Sequence, residues 1–514
     1  MAIAPIPVLS LGSQPPCATC GPSVVTPSIR MTPMSRRFSP GARWWLLYAM
    51  YRAGWWLMLP VAIALLWMRG RRQPGYRANW GERFGGVPPR ADRPVWVHAA
   101  SLGEIRGAAP LLRALCGQGL PVRLTTLTPA GRDAARSLCP EDHAAGRLEV
   151  VYAPVEWAAC VRRFLQRTRP RYTIVMENDL WPVMLVEAHR AGLPLCMANA
   201  QYSERSLQRD QRRLGFRSRL FGIYDLVIAK SSRQAERFAT LGVAQVEVGG
   251  ETRFDLPAPQ AQLDAAALVA HAWGLGTGSR SVFTVASAVQ GEEERWLSLL
   301  SELRSRHAAA GRAAPLFVVV PRNPARFDAW DELLRSRGWK VARRSEVLDR
   351  DLHPCRKTLD RHPSSGAPPG AGRLPTDPPS GSGSAPPPDD GAEVLIGDSL
   401  GEMFFYLALA DAVAVGGSFL PAGSHNVIEP LSLGKPVVVG PVTWTIEFPA
   451  EEALAAGVLL RVDEPAEMVE PLMRWLGAHG DAAAIGTAAS DFARQHMGAT
   501  RRHLQCLQDG WLDR

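Results

Sequence analysis

The stretch DAVAVGGSFLPAGSHNVIEPLSLGKPVVVG, residues 411–440, is the clearest indication of fold class in this 514-residue chain. A short apolar run ends in a glycine-rich loop, a helical pattern follows, and Gly-Lys-Pro precedes a second apolar run. Neither run alternates polar and apolar residues, which is typical of parallel strands that helices cover on both faces. The stretch therefore predicts a strand-helix-strand unit of a parallel α/β sheet.

Similar apolar runs follow one another from about residue 94 onward, in two successive series that break near residues 253–262. Such runs, alternating with helical stretches, predict two doubly wound, Rossmann-like α/β domains that face each other across a cleft. The predicted strands of the first series are VWVHAA, VRLTTLT, LEVVYAP, YTIVMEN, LPLCMANA, DLVIAK and VEVGG. Those of the second series are SVFTVASA, PLFVVVP, EVLIGDS, DAVAVGG and PVVVG.

A tryptophan-rich segment with flanking arginines, residues 43–72, precedes the first strand. Its uninterrupted apolar run, Ala53–Met68, is shorter than the roughly 20 residues that span a bilayer comfortably. Tryptophans and arginines beside an apolar helix are nevertheless typical of an interfacial or signal-anchor helix. We therefore predict membrane attachment, with a buried core helix as the alternative.

Two further segments have the composition of disordered chain. Residues 1–42 are rich in proline, serine and small residues, and residues 362–392 are rich in proline, glycine and serine. Because neither segment can bury a core, we predict that both are disordered. The predicted organisation is then an anchor over residues 43–72, a first domain over residues 73–255 and a second domain over residues 256–514.

The net charge of +9 at pH 7 indicates a partner of opposite charge, such as nucleic acid, anionic lipid or an acidic small molecule. Composition alone does not choose among these partners. The eight cysteines are scattered, and Cys17 and Cys20 form a lone pair with no second pair to complete a zinc site. We therefore predict no metal in the catalytic step and no cofactor.

The loop and helix of the 411–440 stretch carry the most informative polar residues. His425 and Asn426 stand at the predicted helix start, and Glu429 follows in its first turn. Backbone N–H groups at a helix start bind phosphate, and a carboxylate one turn later can accept hydrogen bonds from a ribose diol. An ordinary loop and cap is the alternative, but the combination favours nucleotide-sugar binding.

A second segment, GDSLGEMFFYLALADA over residues 397–412, repeats this arrangement. We predict that Asp398 or Ser399 caps a helix that carries Gly401 and Glu402. A capping box accounts for Ser399 and Glu402 without any ligand, so this segment by itself leaves both interpretations open.

Two other strand ends carry charged residues at the sheet edge where ligands bind in such folds. Arg322 follows the apolar strand of VVVPRNPARF, and its fixed charge suits a phosphate or a carboxylate, with a plain surface arginine as the alternative. Glu177 and Asp179 end the fourth strand, and unpaired carboxylates are costly to bury. These carboxylates are therefore predicted to face the cleft or a cation.

Glu104 lies directly after a Ser-Leu-Gly turn, in HAASLGEIRGAAPLL over residues 98–112. A helix that begins there favours a carboxylate in its first turn through its dipole. The alternative is a catalytic base directed into a cleft, and the residues themselves leave both interpretations open.

Together these segments resemble the Kdo transferases, the 3-deoxy-D-manno-octulosonic acid transferases of Gram-negative lipopolysaccharide synthesis. The resemblance extends from about residue 45 to the C-terminus, apart from the insertion. It implies a GT-B fold with an N-terminal membrane anchor, and transfer of Kdo from CMP-Kdo to a lipid A precursor at the cytoplasmic face of the inner membrane. The matching segments are ASLGE, TLTPAG, ENDLWP, NAQYSERS, GETRFD, ASAVQGEEE, VPRNPARF, GDSLGEM and VGGSFLPAGSHNVIEPLSLGKPVVVGP.

The resemblance also implies roles for single residues. Glu104 corresponds to the catalytic base, and Glu177 and Arg253 correspond to positions that stabilise the transition state. The residues implied to contact CMP-Kdo are Pro321, Arg322, Leu400, Gly401, Glu402, Asn426, Val427, Ile428 and Glu429.

Several positions depart from the family pattern. Arg253 replaces a lysine, Glu251 an asparagine, and Val289 and Asn323 each a histidine. Two alternatives therefore stay open: a sugar-nucleotide epimerase of the same architecture, and a catalytically weakened, membrane-bound sugar-binding protein. No nucleic-acid partner is expected, because the anionic donor and the lipid A phosphates already account for the basic charge.

Overall fold

The computed structural model describes residues 38–212, 215–276, 280–355, 391–477 and 481–508. Most of the predicted disordered extension lies outside the described residues, and so do Cys17 and Cys20. The same holds for the predicted insertion, of which only the last two residues are described.

The first sheet has seven strands, and all of its strand pairs are parallel. Their order across the sheet is β3-β2-β1-β4-β5-β6-β7. The strands are β1 (Val95–His98), β2 (Val122–Thr126), β3 (Leu148–Tyr152), β4 (Thr173–Met176), β5 (Leu195–Ala200), β6 (Leu226–Ala229) and β7 (Gln245–Val248).

The second sheet repeats this plan with seven parallel strands in the order β10-β11-β9-β8-β12-β13-β14. Its strands are β8 (Val282–Ala288), β9 (Leu316–Pro321), β10 (Val341–Arg343), β11 (Val394–Ile396), β12 (Ala412–Val415), β13 (Val437–Val439) and β14 (Leu459–Arg461).

Helices connect the strands and cover both faces of each sheet. They are α1 (Ala42–Arg72), α2 (Trp80–Arg83), α3 (Leu102–Gly117), α4 (Pro129–Leu138), α5 (Pro140–Ala144), α6 (Ala158–Thr168), α7 (Pro182–Arg190), α8 (Glu204–Arg212), α9 (Phe216–Leu220), α10 (Ser232–Ala239), α11 (Gln260–Ala272), α12 (Glu293–Ala309), α13 (Phe327–Ser336), α14 (Arg344–Val347), α15 (Met403–Leu409), α16 (Ile428–Ser432), α17 (Glu447–Ala455), α18 (Val469–Trp475), α19 (Asp481–His496) and α20 (Ala499–Gln508).

Burial explains why the strands are continuously apolar. Every residue of β1, β2, β4 and β5 is buried, because separate apolar clusters pack against the two faces of the first sheet. The second sheet is covered in the same way. The prediction of two doubly wound α/β domains is therefore confirmed. Strands β10 and β14 were not predicted, since these edge strands are only partly buried and each includes an arginine, which interrupts the apolar run.

Helix α1 combines a buried start with an exposed apolar remainder. Trp44 and Tyr48 are buried in the core of the first domain, and Trp44 Nε1 donates a hydrogen bond to the Phe216 carbonyl at 2.8 Å. Farther along the helix, Leu57 is 79% exposed and Leu65 is 50% exposed. The helix is long and apolar enough to cross a membrane. The core-helix alternative thus describes only the first half of α1, whose contacts with the first domain extend to Trp56, where the ring packs against Trp157.

Helix α20, at the end of the described chain, packs on the first domain. Leu507 belongs to the core cluster of β1 and α3. The Asp255 carboxylate accepts hydrogen bonds from the N–H groups of Gly498 and Thr500, both at 2.6 Å. The domain boundaries stay a prediction, and these contacts lead us to propose that α20 joins the first domain although its residues fall within 256–514.

Candidate active site

The direction in which successive strands are added reverses once in each sheet. In the first sheet the reversal lies between β1 and β4, and in the second sheet between β8 and β12. Open α/β sheets bind ligands in the crevice at such a point, outside the carboxyl ends of the strands. The segments that follow these four strands are therefore the candidate site.

Glu104 lies in the first turn of α3, directly after β1. The Ser101 hydroxyl caps the helix by accepting a hydrogen bond from the Glu104 N–H at 3.4 Å. Glu104 Oε2 accepts from the N–H groups of Ala100 and Ser101, at 2.5 and 3.4 Å. Among the residues that the structure describes, Oε1 takes part in no hydrogen bond, so that this oxygen is available to a ligand.

The Glu104 carboxyl has an unusual proton affinity. Burial, together with the negative charges of Asp179 and Glu177, raises its pKa to about 7. Asp179 is itself held beside His98, with Oδ2 and Nε2 2.9 Å apart. A carboxyl group with a pKa near neutrality suits general-base chemistry, because a substantial fraction is deprotonated near pH 7 and the carboxylate still binds a proton well.

Arg253 follows β7 and joins two other strand ends. Its Nη2 donates hydrogen bonds to the Glu177 carboxylate and to the Gly103 carbonyl, the latter at 2.9 Å. Its Nη1 donates to Glu251 at 3.2 Å. Burial works against the charged form, but Glu177 and Glu251 raise the pKa of Arg253 above its ordinary value. The guanidinium group thus ties the first turn of α3 to the end of β4.

Three residues other than glycine at or near the carboxyl ends of strands have a left-handed backbone. The φ angles are +57° at Glu177, +53° at Asn199 and +58° at Ser287. Such conformations cost of order 1–3 kcal/mol each and persist only where the surroundings hold them. They occur in both halves of the candidate site, as is common where side chains are held for function.

Glu429 brings the two halves together. It lies in the first turn of α16. Burial raises the pKa of its carboxyl, against the opposing positive charges of Arg106, Arg253 and Arg322. Arg106 and Arg253 belong to the first domain, whereas the exposed Arg322 follows β9 of the second. An anionic ligand in this crevice would therefore meet arginines from both sides.

The loop before α16 differs slightly from its prediction. The helix begins at Ile428, so that His425 and Asn426 precede it rather than form its start. Asn426 Oδ1 accepts a hydrogen bond from the Ile428 N–H at 3.0 Å and thereby caps the first turn. Burial and the charge of Arg322 lower the pKa of His425 to about 4, so the imidazole is neutral at pH 7.

The predicted helix over Gly401 and Glu402 was wrong, because α15 begins only at Met403. Neither Asp398 nor Ser399 caps it; the Ser399 hydroxyl donates instead to the Glu402 carboxylate. The other Glu402 oxygen accepts from Arg344 at 2.7 Å. Leu400 is 73% exposed, which leaves this turn open to a ligand.

Sequence reasoning missed Glu292, which supports the glycine-rich loop after β12. Its two carboxylate oxygens accept hydrogen bonds from the N–H groups of Gly417 and Phe419, at 2.8 and 3.0 Å. Its Oε2 also accepts from Trp296 Nε1 at 3.2 Å. The segment QGEEE offered a signal, since an acidic residue near the end of an apolar strand needs a partner.

Two further arginines of the first domain contact the second. Arg237 of α10 donates two hydrogen bonds to the Glu447 carboxylate, at 2.7 and 2.6 Å. The Arg205 guanidinium lies 5.0 Å from the centre of the Trp444 ring. Within the described ranges no group of three or more His, Cys, Asp or Glu side chains is placed to hold a metal ion. The metal-free catalytic step stays a prediction.

The sequence has relatives of known name. The family model described as 3-Deoxy-D-manno-octulosonic-acid transferase (kdotransferase) matches residues 78–256. The chain is 35% identical over 462 residues to the 3-deoxy-D-manno-octulosonic acid transferase of Bordetella pertussis, which covers 88% of this chain and 97% of that protein. It is 25% identical over 461 residues to the Haemophilus influenzae protein of the same name, with 87% and 95% covered.

The fold also has solved counterparts. A crystal structure of the UDP-GlcNAc 2-epimerase of Neisseria meningitidis matches 81% of this chain and all of that chain, with a TM-score of 0.50. At 15% sequence identity this likeness shows the two-domain GT-B-type fold alone.

Proposed function

Because this chain belongs to the 3-deoxy-D-manno-octulosonic acid (Kdo) transferase family and is a glycosyltransferase, we propose that it transfers Kdo from CMP-Kdo to a lipid A precursor. The acceptor is of the lipid IVA type, and the reaction is an inverting displacement. The observation that carries the proposal is the meeting of Glu104, Glu177 and Arg253 in a crevice that also faces Glu429.

Glu104 is the general base of this reaction. As the acceptor hydroxyl attacks the anomeric carbon of Kdo, its oxygen forms the new glycosidic bond and its proton passes to Glu104 Oε1. The bond from the anomeric carbon to the CMP phosphate oxygen breaks with its electron pair, and CMP leaves. Arg253, held by Glu177, stabilises the negative charge that develops on the leaving phosphate of CMP.

We assign the donor to the second domain. Arg322 of the second domain, together with Arg106 from the opposite side of the crevice, would bind the phosphate of CMP and the carboxylate of Kdo, since planar guanidinium groups bind such oxygens well. Glu429 accepts hydrogen bonds from the ribose hydroxyls. The remaining donor contacts are assigned to Pro321, Leu400, Gly401, Glu402, Asn426, Val427 and Ile428.

The pH dependence of transfer follows from the environment of Glu104. The base acts only when deprotonated, so kcat is expected to rise as the pH passes upward through about 7, the pKa of this group. Asp179→Asn removes one of the negative charges that raise this pKa, and the rising limb is therefore expected to move to lower pH. A pH–rate profile of the two proteins checks the shift. If the rising limb of the profile did not move, the ionisation that controls kcat would not be that of Glu104.

We propose that α1 anchors the chain to the inner membrane, with the catalytic domains on the cytoplasmic side. The exposed apolar side chains of α1 support this proposal, since a contiguous apolar surface of this kind marks a membrane or protein contact. The anchor would hold the crevice beside the lipid that carries the acceptor.

Replacing Leu57, Met58 and Leu65 together with glutamine is expected to move the protein from the membrane to the soluble fraction. These side chains are 79%, 53% and 50% exposed, so the change removes apolar surface without opening the core. Fractionation, with activity measured on detergent-dispersed acceptor, checks this result. Trp44→Ala is the control for a loss of stability. It empties a buried site and is expected to cost about 3–5 kcal/mol of stability, but it leaves the exposed apolar surface in place. Full retention of the triple variant in membranes would refute the anchor.

The decisive assay incubates the purified full chain with CMP-Kdo and tetraacylated lipid A precursor. Release of CMP together with Kdo-bearing lipid is expected, and mass spectrometry of the lipid counts the Kdo residues added. A folded protein that binds CMP but forms no product would support the weakened sugar-binding alternative instead.

A further inference from the structure

A buried ion pair lies behind the proposed catalytic groups. Lys230 follows β6 and Glu251 follows β7, and their side chains are each 2% exposed. Lys230 Nζ lies 2.7 Å from Glu251 Oε2. Burying two charges is expensive and rarely adds stability compared with apolar residues, so a buried pair calls for another explanation such as fixing a geometry.

Glu251 connects three residues of this cluster. Its Oε1 accepts hydrogen bonds from Asn199 Nδ2 at 2.8 Å and from the Arg253 N–H at 3.2 Å. Its Oε2 accepts from Arg253 Nη1 at 3.2 Å as well as from Lys230. Burial would raise the pKa of Glu251, but Lys230 and Arg253 hold it at about 2, so the carboxylate stays charged.

Lys230 neutralises the charge of Glu251, which would otherwise draw Arg253 away from Glu177. The guanidinium group lies between two carboxylates, Glu251 on one side and Glu177 on the other. Without Lys230, Glu251 would carry an uncompensated charge and compete with Glu177 for the same arginine. Lys230 Nζ also lies 3.8 Å from Glu177 Oε1, so it would take the place of Arg253 there if Glu251 lost its charge.

We propose that Lys230 and Glu251 are a positioning pair that directs Arg253 Nη2 toward Glu177 and the Gly103 carbonyl. The inference rests on the proposed function. Neither residue touches the reacting atoms, and both act through Arg253. The hydrogen-bond network around this pair reaches α20. Asn199, which donates to Glu251, also donates its backbone N–H to His503 Nε2 at 3.0 Å.

The kinetic test compares Glu251→Gln, Lys230→Met and the double variant in the full chain. Each single change is expected to lower kcat about 10- to 100-fold, the usual cost of misplacing a catalytic group by about 1 Å. The KM for CMP-Kdo is expected to change less than about threefold, and the double variant to recover most of the lost kcat. Singles with normal kcat and only a lower melting temperature would show a merely structural pair.

Glu251→Asp keeps the charge but shortens the reach, so it guards against variants that do not fold. It is expected to melt closer to the wild-type protein than Glu251→Gln does and still to lose kcat, because the shorter carboxylate can no longer span Lys230 and Arg253. A crystal structure of Glu251→Gln reads the position of Arg253 without turnover. Loss of the bond to the Gly103 carbonyl supports the proposal, and an unchanged bond overturns it. An inactive wild-type protein would refute the proposed function instead.

Discussion

Glu104→Gln is expected to lower kcat for Kdo transfer by about 100- to 10,000-fold, the contribution typical of a general base. The amide cannot take up the proton of the acceptor hydroxyl. Its oxygen still accepts the hydrogen bonds from Ala100 and Ser101, because a capping box accommodates glutamine as well as glutamate. The fold and the binding of CMP are therefore expected to survive, and single-turnover kinetics with calorimetric titration of CMP separate the two effects.

The matched control is Glu294→Gln. Glu294 also lies in the first turn of a helix, α12, but it is 65% exposed and forms its ion pair with Arg337 on the surface. Its substitution is expected to leave kcat unchanged. If Glu104→Gln kept wild-type turnover, Glu104 would not be the base. It would be an ordinary acidic residue that the helix dipole favours.

Much of the fold is encoded locally. Continuous apolar runs such as those of β4 and β9 indicate strands whose side chains are buried on both faces of the sheet. A parallel sheet that is buried on both faces has helices on each side. The edge strands β10 and β14 lacked this signal because their residues are only partly buried and each strand includes an arginine. The return of α20 to the first domain could not be predicted either, since Leu507 and His503 find their partners only in the folded chain.

The candidate site divides in the same way. Glu104 and Glu177 could be predicted to converge, because both follow strands whose carboxyl ends meet at one sheet edge. The helix predicted over Gly401 and Glu402 was wrong because the sequence pattern of a capping box does not fix the backbone. In the structure the Glu402 carboxylate binds Arg344. The Lys230–Glu251 pair joins the segments that follow two consecutive strands, and the register of β6 and β7, in which Ala229 lies beside Val248, brings the two side chains together.

Arg253→Met is expected to reduce both activity and stability. The change leaves Glu177 and Glu251 facing each other with Lys230 as the remaining cation, and it removes the link to the Gly103 carbonyl. Breaking a buried ion pair on one side costs about 3–5 kcal/mol. We expect about 3 kcal/mol here, because the Arg253 side chain is 20% exposed and solvent screens part of the charge. Urea unfolding measures this loss, and kcat is expected to fall at least about 100-fold.

Two variants make the Arg253 result interpretable. Arg253→Lys keeps the charge but not the fork that reaches Glu177, Glu251 and Gly103 at once, so it is expected to fold and to retain intermediate activity. Arg335→Met removes an arginine that is 49% exposed and pairs with Asp331 one turn away, and it is expected to cost no more than about 0.5 kcal/mol. If Arg253→Met proved as stable as Arg335→Met, the two carboxylates would not depend on Arg253. If Arg253→Lys were as inactive as Arg253→Met, the geometry of the guanidinium group, rather than its charge, would be what transfer requires.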